Sequence, residues 1–322
     1  MGLPIDAILL SGAGTRVCMK LSDIENFVAV AQSGSIRSAA RMRGLTPPAL
    51  TQCIARLEEE LHAPLVVRTT RGAVLTDYGS AFLQRALLIT SEVRRAGEEI
   101  TQMLGEHGGS ITIGASATPA TVLLPEVLAQ FRRDRPEVRI RLVEGLFHTH
   151  LVSLREGNMD LALGPVPAGG LDADIMVEPL FQNDLAISAG MQNPLRYAKS
   201  LAELANAEWI GTGPLGQGPG AAIADAFRAH GLAVPRMMVQ CESMAAVHTL
   251  LTHTSMLCAL PRSIVSSEPL CRVLVALPVA EPLPRYTVSL MRRADSPLLP
   301  AAQYLATLLH RYAHYFTQRA AA

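Results

Sequence analysis

The chain has 322 residues, 49% of them hydrophobic and 17% charged, which excludes a disordered or fibrous polypeptide and leaves room for two or three packed domains. Its formal net charge is zero, so any nucleic-acid surface has to be a local basic patch that is offset elsewhere. Five cysteines (Cys18, Cys53, Cys241, Cys258 and Cys271) are scattered without Cys-x-x-Cys or Cys/His spacing, which points to a reducing cytoplasm and to no structural zinc.

Residues 1–18 hold one apolar run and a glycine-rich patch, with no basic segment ahead of the run, so a secretory signal is not expected. The piece from Ile8 to Gly14 has the faint form of a strand and phosphate loop, but no βαβ unit follows. The stretch reads as a disordered or loosely packed extension. No uncharged apolar run reaches the ~18 residues that a membrane span needs. From Leu21, Ser22 and Glu25 stand at capping-box spacing, and Ile24, Phe27, Val28 and Ala31 form the inner stripe of a scaffold helix.

The segment 35–56, SIRSAARMRGLTPPALTQCIAR, holds two short helical patterns joined at Gly44-Leu45. Ser35 is placed to cap a helix carrying Ile36, Ala39, Ala40 and Met42, Gly44 to end it at positive φ, and Thr46-Pro47 to restart the chain as cap and first helical residue. In the second helix Leu50, Ile54, Leu57 and Leu61 make the buried stripe, which leaves Thr51, Gln52, Ala55 and Arg56 outside. No acid lies between Glu25 and Glu58, while Arg37, Arg41, Arg43 and Arg56 fall within, as a phosphate-facing surface requires. The pattern reads as a helix-turn-helix, with an ordinary helical hairpin as the plainer alternative. Leu65–Leu75 then gives two β-prone runs around Thr70-Arg71-Gly72, a hairpin that would present Arg68 and Arg71 to the backbone or the minor groove.

The residues 20–79, with the AL at 49–50, RLEEEL at 56–61 and PLVVRTTRGAVLT at 64–76, resemble the winged helix-turn-helix of LysR-type transcriptional regulators, and the resemblance runs through the chain from Met19. It implies a domain at 19–76 that binds double-stranded operator DNA through Ser35, Arg37, Thr46, Pro47, Pro48, Thr51, Gln52 and Arg56 and through the wing residues Arg68, Thr70 and Arg71. Pro47 stands where the family usually has Gln, and Gln52 where Arg is common, so the base pairs read are left open.

Thr76 opens a helical pattern in which Phe82, Ala86, Ile89, Val93, Ala96, Ile100 and Met103 recur at spacings of four and three, a coiled-coil seam. A helix lying on its own domain would show a wider stripe, so 77–107 reads as a paired linker helix. The family implies a homodimer through this helix, assembly into a homotetramer and a contact with RNA polymerase. Gly105–Ser110 breaks the helix.

Residues 108–322 alternate short apolar runs with helical patterns, which argues an α/β fold with largely parallel sheets. The strand candidates are Ile111–Gly114, Val138–Val143, Leu161–Leu163, Leu185–Ser188, Trp209–Gly211, Met237–Gln240, Met256–Leu260 and Thr287–Met291. The family implies a two-lobed effector domain like the periplasmic binding proteins, crossed by the chain twice. The crossings are expected near Gln182–Leu185 and Leu283–Tyr286, so lobe one spans about 108–183 and 285–322 and lobe two about 184–284, with the last helix at 297–318. A small organic anion would sit between the lobes, at the strand ends.

Three strand-to-helix turns there suit an anion, although each is also a plain cap: Ser116-Ala117-Thr118-Pro119, the glycine-rich 211–220 with Gly218, Pro219 and Gly220, and Ser243. Phe147, His148, Gly164 and Pro165 complete the expected effector contacts. His148 and His150 are otherwise read as exposed loop residues. Within the family, GPGAAI at 218–223 and CES at 241–243 are most similar to a regulator of toluenesulfonate degradation, which implies an aromatic sulfonate or carboxylate. The rival reading is a dinucleotide-dependent oxidoreductase, since Gly211-x-Gly213-x-x-Gly216 follows a strand; however, Pro214 delays the helix and no acid sits about twenty residues on. A Gly-x-Ser-x-Gly elbow is lacking, and a solute-binding protein would not need a helix-turn-helix. The expectation is a cytoplasmic regulator, not an enzyme, without cofactor or metal.

Overall fold

The structure, a computed structural model, describes residues 7–12, 15–69, 72–104, 109–167, 169–212 and 218–321, with the backbone alone at 7–17, 68, 218 and 318–321. It divides into two compact units, Met1–Glu106 with Arg155–Asn158, and His107–Leu154 with Met159–Ala322.

The first unit opens with β1 (Ala7–Gly12) and β2 (Thr15–Lys20), an antiparallel pair registered from Ala7 opposite Lys20 to Gly12 opposite Thr15. This corrects the expected loose extension over the described part: Ile8-Leu9-Leu10 finds strand partners in Val17-Cys18-Met19, and the two runs satisfy each other's backbone groups. The element that follows β1 is a strand and not a helix. β2 passes directly into α1 (Leu21–Ser33), whose N-cap is Lys20. The capping box of Ser22 and Glu25 is therefore not made; Ser22 lies inside the first turn and Glu25 pairs with Arg43.

The next two helices follow from their punctuation. α2 (Ile36–Arg43) is capped by Ser35, whose hydroxyl accepts the Ser38 N–H at 3.4 Å, and α3 (Pro47–Leu61) by Thr46, which accepts from Ala49 at 3.4 Å. Between them Gly44 takes φ 66° and donates to the Ala40 and Arg41 carbonyls, the left-handed end that separates the helices. Leu50, Ile54 and Leu57 are buried against Phe27, Val30, Ala39 and Ala40, about 1.5–3 kcal/mol for each large side chain. Met42, expected on the inner face, is 62% exposed because Ala39 and Ala40 already fill the contact with the core.

Glu58 of the RLEEEL run fixes what comes next, accepting from the backbone of Leu65 (2.7 Å) and Val66 (3.0 Å). The wing pairs β3 (Val66–Thr69) with β4 (Gly72–Leu75), and Ala73 donates to the Gly34 carbonyl at 2.9 Å. Gly72 sits at φ 133° with Gly34 O 2.4 Å from where a Cβ would be, so no larger residue fits. The tip residues Thr70 and Arg71 lie outside the described residues.

α4 (Asp77–Met103) is capped by Thr76 on Gly79 N at 2.9 Å. Its expected seam splits in two. Phe82 meets the Phe27 ring at 5.3 Å, and Ala86 and Ile89 pack into the helix-turn-helix core, whereas Val93, Ile100 and Met103 are 46%, 57% and 73% exposed. The first half of the seam is thus this domain's own core.

The second unit carries, in order, β5 (Ser110–Ala115), α5 (Ala117–Val122), α6 (Leu124–Asp134), β6 (Arg139–Glu144), α7 (Phe147–Arg155), β7 (Leu161–Pro165), β8 (Ile175–Gly190), β9 (Glu208–Thr212), α8 (Gly218–Ala229), β10 (Arg236–Cys241), α9 (Met244–His253), β11 (Leu257–Pro261), α10 (Arg262–Val265), β12 (Leu274–Ala276), β13 (Arg285–Arg293) and α11 (Pro300–Ala321). The strands order as β10-β9-β11-β8-β13-β7-β5-β6, with β12 also on β8. The sheet is mixed rather than largely parallel: β5 with β6 and β7, and β9 with β10 and β11, run parallel, while every pairing of β8 and β13 is antiparallel.

β8 makes the two lobes. Its residues up to Asp184 pair with β13, ending on Arg285, and from Leu185 it pairs with β11 and then β12. The first half of this strand was not among the expected ones. Pro179 cannot donate to a ladder, and the register shifts there, with Phe181 opposite Val288 but Pro179 opposite Ser289, a bulge that absorbs the proline. One lobe is built on Ile111, Ile113, Val127, Phe131, Leu305 and Leu309, and the other on Ile187, Leu257 and Trp209, whose ring meets Phe227 edge-on at 5.8 Å.

Candidate functional site

On the helix-turn-helix, Arg37, Thr46, Pro47, Pro48 and Gln52 are exposed, and Ser35 and Thr51 half-buried. Arg56 is not simply outward. Its Nε and Nη2 donate to Asp23 Oδ2 (3.1 Å) and Oδ1 (2.8 Å), a fork onto a carboxylate whose side chain is only 5% exposed. Arg43 likewise donates to Glu25 and to Asn26 Oδ1. Two of the four arginines read as phosphate-facing are therefore ion-paired to α1. Sequence reasoning missed Asp23, which had a signal: an acid flanking the apolar stripe at Ile24 and Phe27 has to find a cation. Of the wing arginines, only the backbone of Arg68 is described.

In the effector domain, β5 delivers Ser116 to the start of α5, its N–H bound to the Leu163 carbonyl at 2.8 Å. The Ser116 Oγ is buried with no partner among the described residues and faces Gly164, where a Cβ would come within 3.2 Å. A buried hydroxyl without a partner is uncommon and costs about 1–3 kcal/mol, which a ligand at that spot would recover. Ala117 and Pro165 are half-buried nearby, and Pro119 is buried.

Thr118 does not offer the free hydroxyl expected of it. It is 3% exposed and lies 2.9 Å from the Tyr286 hydroxyl, which accepts from Asn183 Nδ2 at 3.2 Å; the same amide donates to Ser263 Oγ at 2.7 Å. The chain Thr118, Tyr286, Asn183, Ser263 links α5, β13, β8 and α10 where the lobes meet. Burial pushes the Tyr286 phenol up to about 12, so it stays protonated. Sequence reasoning missed Asn183, Ser263 and Tyr286 as site residues, although Asn183 and Tyr286 lie within the two expected crossings.

The remaining expected contacts do not all converge. Phe147 opens α7 and packs beside Leu154 and Met159; His148 is exposed on that helix. His150 is corrected from an exposed loop residue to a core one: at 1% exposure it lies one helical turn before the buried Leu154, its ring is held by the Val143 backbone, and its Nε2 has no partner. Burial holds its pKa below the ordinary histidine range. Gly218, Pro219 and Gly220 begin α8, where Gly220 approaches Gly211. Ser243 is exposed and spends its hydroxyl capping α9 through Ala246 N at 3.4 Å. No hydrogen bond joins these to the Ser116 turn among the described residues. On α9, His248 keeps a buried Nε2 without partner; burial lowers its pKa while Glu144, at the end of β6, pulls it up.

Other chemistries find little here. No group of three or more His, Cys, Asp or Glu suited to a metal ion occurs among the described residues, and no described helix is long and apolar enough to cross a membrane. Within the glycine fingerprint, Gly211 is tucked against the Gln240 side chain, and Gly213 and Gly216 lie outside the described residues.

Comparison with known proteins supplies the family. Residues 21–80 match the bacterial regulatory helix-turn-helix protein, lysR family, and residues 104–313, more than half of the chain, match the LysR substrate binding domain. The HTH-type transcriptional regulator TdcA of Escherichia coli (strain K12) is 26% identical over 301 residues, 94% of this chain and 96% of TdcA. The transcriptional dual regulator GltC of Bacillus subtilis (strain 168) is 29% identical over 287 residues, 88% of this chain and 94% of GltC. Among solved structures CbnR, a LysR family transcriptional regulator, shares the fold at a TM-score of 0.68 and 20% identity, over 92% of this chain and 99% of that one. These relatives are regulators, so the oxidoreductase reading is not favoured and the chain is not an enzyme. With a reading helix, a wing and a two-lobed effector domain in the matched order, the chain belongs to the LysR family of bacterial helix-turn-helix transcriptional regulators.

Proposed function

We propose that this DNA-binding transcriptional regulator takes a small organic anion, an aromatic sulfonate or carboxylate, between the lobes of its effector domain, with Ser116 as the principal donor. The unpartnered, buried Ser116 hydroxyl carries this reading. It stands at a strand-to-helix turn beside Gly164. Ala117, Pro119 and Pro165 shape the same pocket, and Phe147, His148, Gly218–Gly220 and Ser243 are its outer contacts once the lobes close. Thr118 acts through Tyr286.

Operator DNA is read by Thr46, Pro47, Pro48, Thr51 and Gln52 in the major groove, with Ser35, Arg37 and the wing residues Arg68, Thr70 and Arg71 on the backbone. CbnR, which shares this fold at a TM-score of 0.66, is itself seen in complex with its target DNA, and that supports DNA as the partner. The exposed half of α4, Val93 to Met103, pairs two protomers in the cytoplasm, and dimers associate further and contact RNA polymerase. Footprinting of the DNA upstream of the gene, with and without each member of an aromatic sulfonate and carboxylate panel, tests the reading. A footprint that changes with an anion supports it; a footprint indifferent to the whole panel goes against an anionic effector.

A further inference from the structure

Phosphate binding by a helix-turn-helix depends on cations with no internal partner, and α2 and α3 hold four arginines of two kinds. Arg37 and Arg41 are exposed and have no ion pair among the described residues. Arg56 is forked onto Asp23 at 2.8 and 3.1 Å, with Cys53 Sγ at 3.4 Å from the same Nη2. Asp23 is 3% exposed, sits in the first turn of α1 and has Arg56 as its counter-ion. A dehydrated carboxylate cannot release its only cation without being left charged and unpaired, whereas a phosphate on the DNA surface stays hydrated and is screened by salt. Asp23 therefore wins the competition for Arg56. Arg43 is tied more weakly, because it and Glu25 are each more than a third exposed.

We infer that Asp23 is a positioning residue that withholds Arg56 from the phosphate backbone: it pins the reading helix to α1 and cancels a charge that would otherwise strengthen binding to any sequence. Arg56 then serves orientation, and discrimination rests more on the uncharged Thr51 and Gln52. This deepens the DNA-reading proposal by removing one expected contact from it, and it does not depend on the effector.

Fluorescence anisotropy of the full chain with a labelled random-sequence duplex, at several salt concentrations, tests this. Each phosphate neutralised adds about 0.9 to the slope of log affinity against log salt. Arg56→Gln should leave the wild-type slope unchanged. Asp23→Asn keeps an acceptor for Arg56 but frees its charge, and should steepen the slope by about 0.9, so that a fourfold rise in salt costs this variant about 3.5-fold more affinity than wild type. A slope lowered by about 0.9 in Arg56→Gln, or an unchanged slope in a folded Asp23→Asn, overturns the inference. If circular dichroism shows Asp23→Asn unfolded, Arg56→Gln decides alone. If wild type binds no random duplex at all, the DNA-reading proposal itself fails, and that result is distinct from either slope.

Discussion

The helix-turn-helix and the effector domain close their polar groups differently. From α1 to α3 no buried side-chain N or O lacks a partner among the described residues; buried Asp23 and Asn26 are met by Arg56 and Arg43, and the helix starts by Ser35 and Thr46. The effector domain leaves Ser116, His150, Trp209, His248 and Glu281 each with an unpartnered buried atom. A unit that has to present one fixed surface to DNA satisfies itself, while a unit that responds to a ligand leaves polar atoms unpaired.

The largest effect should come from breaking the closed unit at its centre. Phe27→Ala removes a fully buried ring that meets Phe82, and should cost about 3–5 kcal/mol in urea unfolding and abolish DNA binding. A loss below about 1 kcal/mol would mean that the core is less tightly packed than its burial indicates.

Thr118→Val attacks the network at the lobe crossing. It leaves the buried Tyr286 hydroxyl with one partner fewer and should lower effector-domain stability by about 1–3 kcal/mol. Unchanged stability would mean that the Thr118–Tyr286 bond does not hold the crossing together.

His150 sharpens the comparison through pH. Its folded pKa lies below the ordinary 6.5, so the unfolded chain takes up the proton first; its contribution is complete above about pH 6.5 and is withdrawn as the pH falls below that. His150→Leu should flatten this acid loss in melts between about pH 7 and 5, and an unaltered slope would trace the loss elsewhere, for instance to His248. The smallest effect is expected at the cap: Thr46→Ala should cost about 0.5 kcal/mol, the low end for a cap, because its bond is 3.4 Å long.

Much of this contrast was legible in the sequence, and for a physical reason. Ser35, Gly44 and Thr46 act on neighbours within four residues, as does Thr76 in capping Gly79, so order along the chain gives these partners. The failures were non-local. Asp23 and Arg56 are 33 residues apart, Thr118 and Tyr286 168 apart, and nothing in the local pattern pairs them. Pro179 hid half of β8, since a bulge that accommodates proline depends on the opposite strand. The α4 stripe was read as one seam because the period is continuous, while burial changes midway with what packs on it.

The most direct test of the account is a thermal-shift comparison of the full chain with its Ser116→Ala variant across the aromatic sulfonate and carboxylate panel. A ligand at a hundred times its dissociation constant adds about 2.7 kcal/mol, and loss of a hydrogen bond to a charged group costs about 1.5–3 kcal/mol. The account predicts at least one anion that stabilises the wild-type chain and loses most of that shift in Ser116→Ala, with both proteins equally stable or the variant more stable in its absence. Equal stabilisation of the two proteins by the same anion would contradict the assignment of the effector turn.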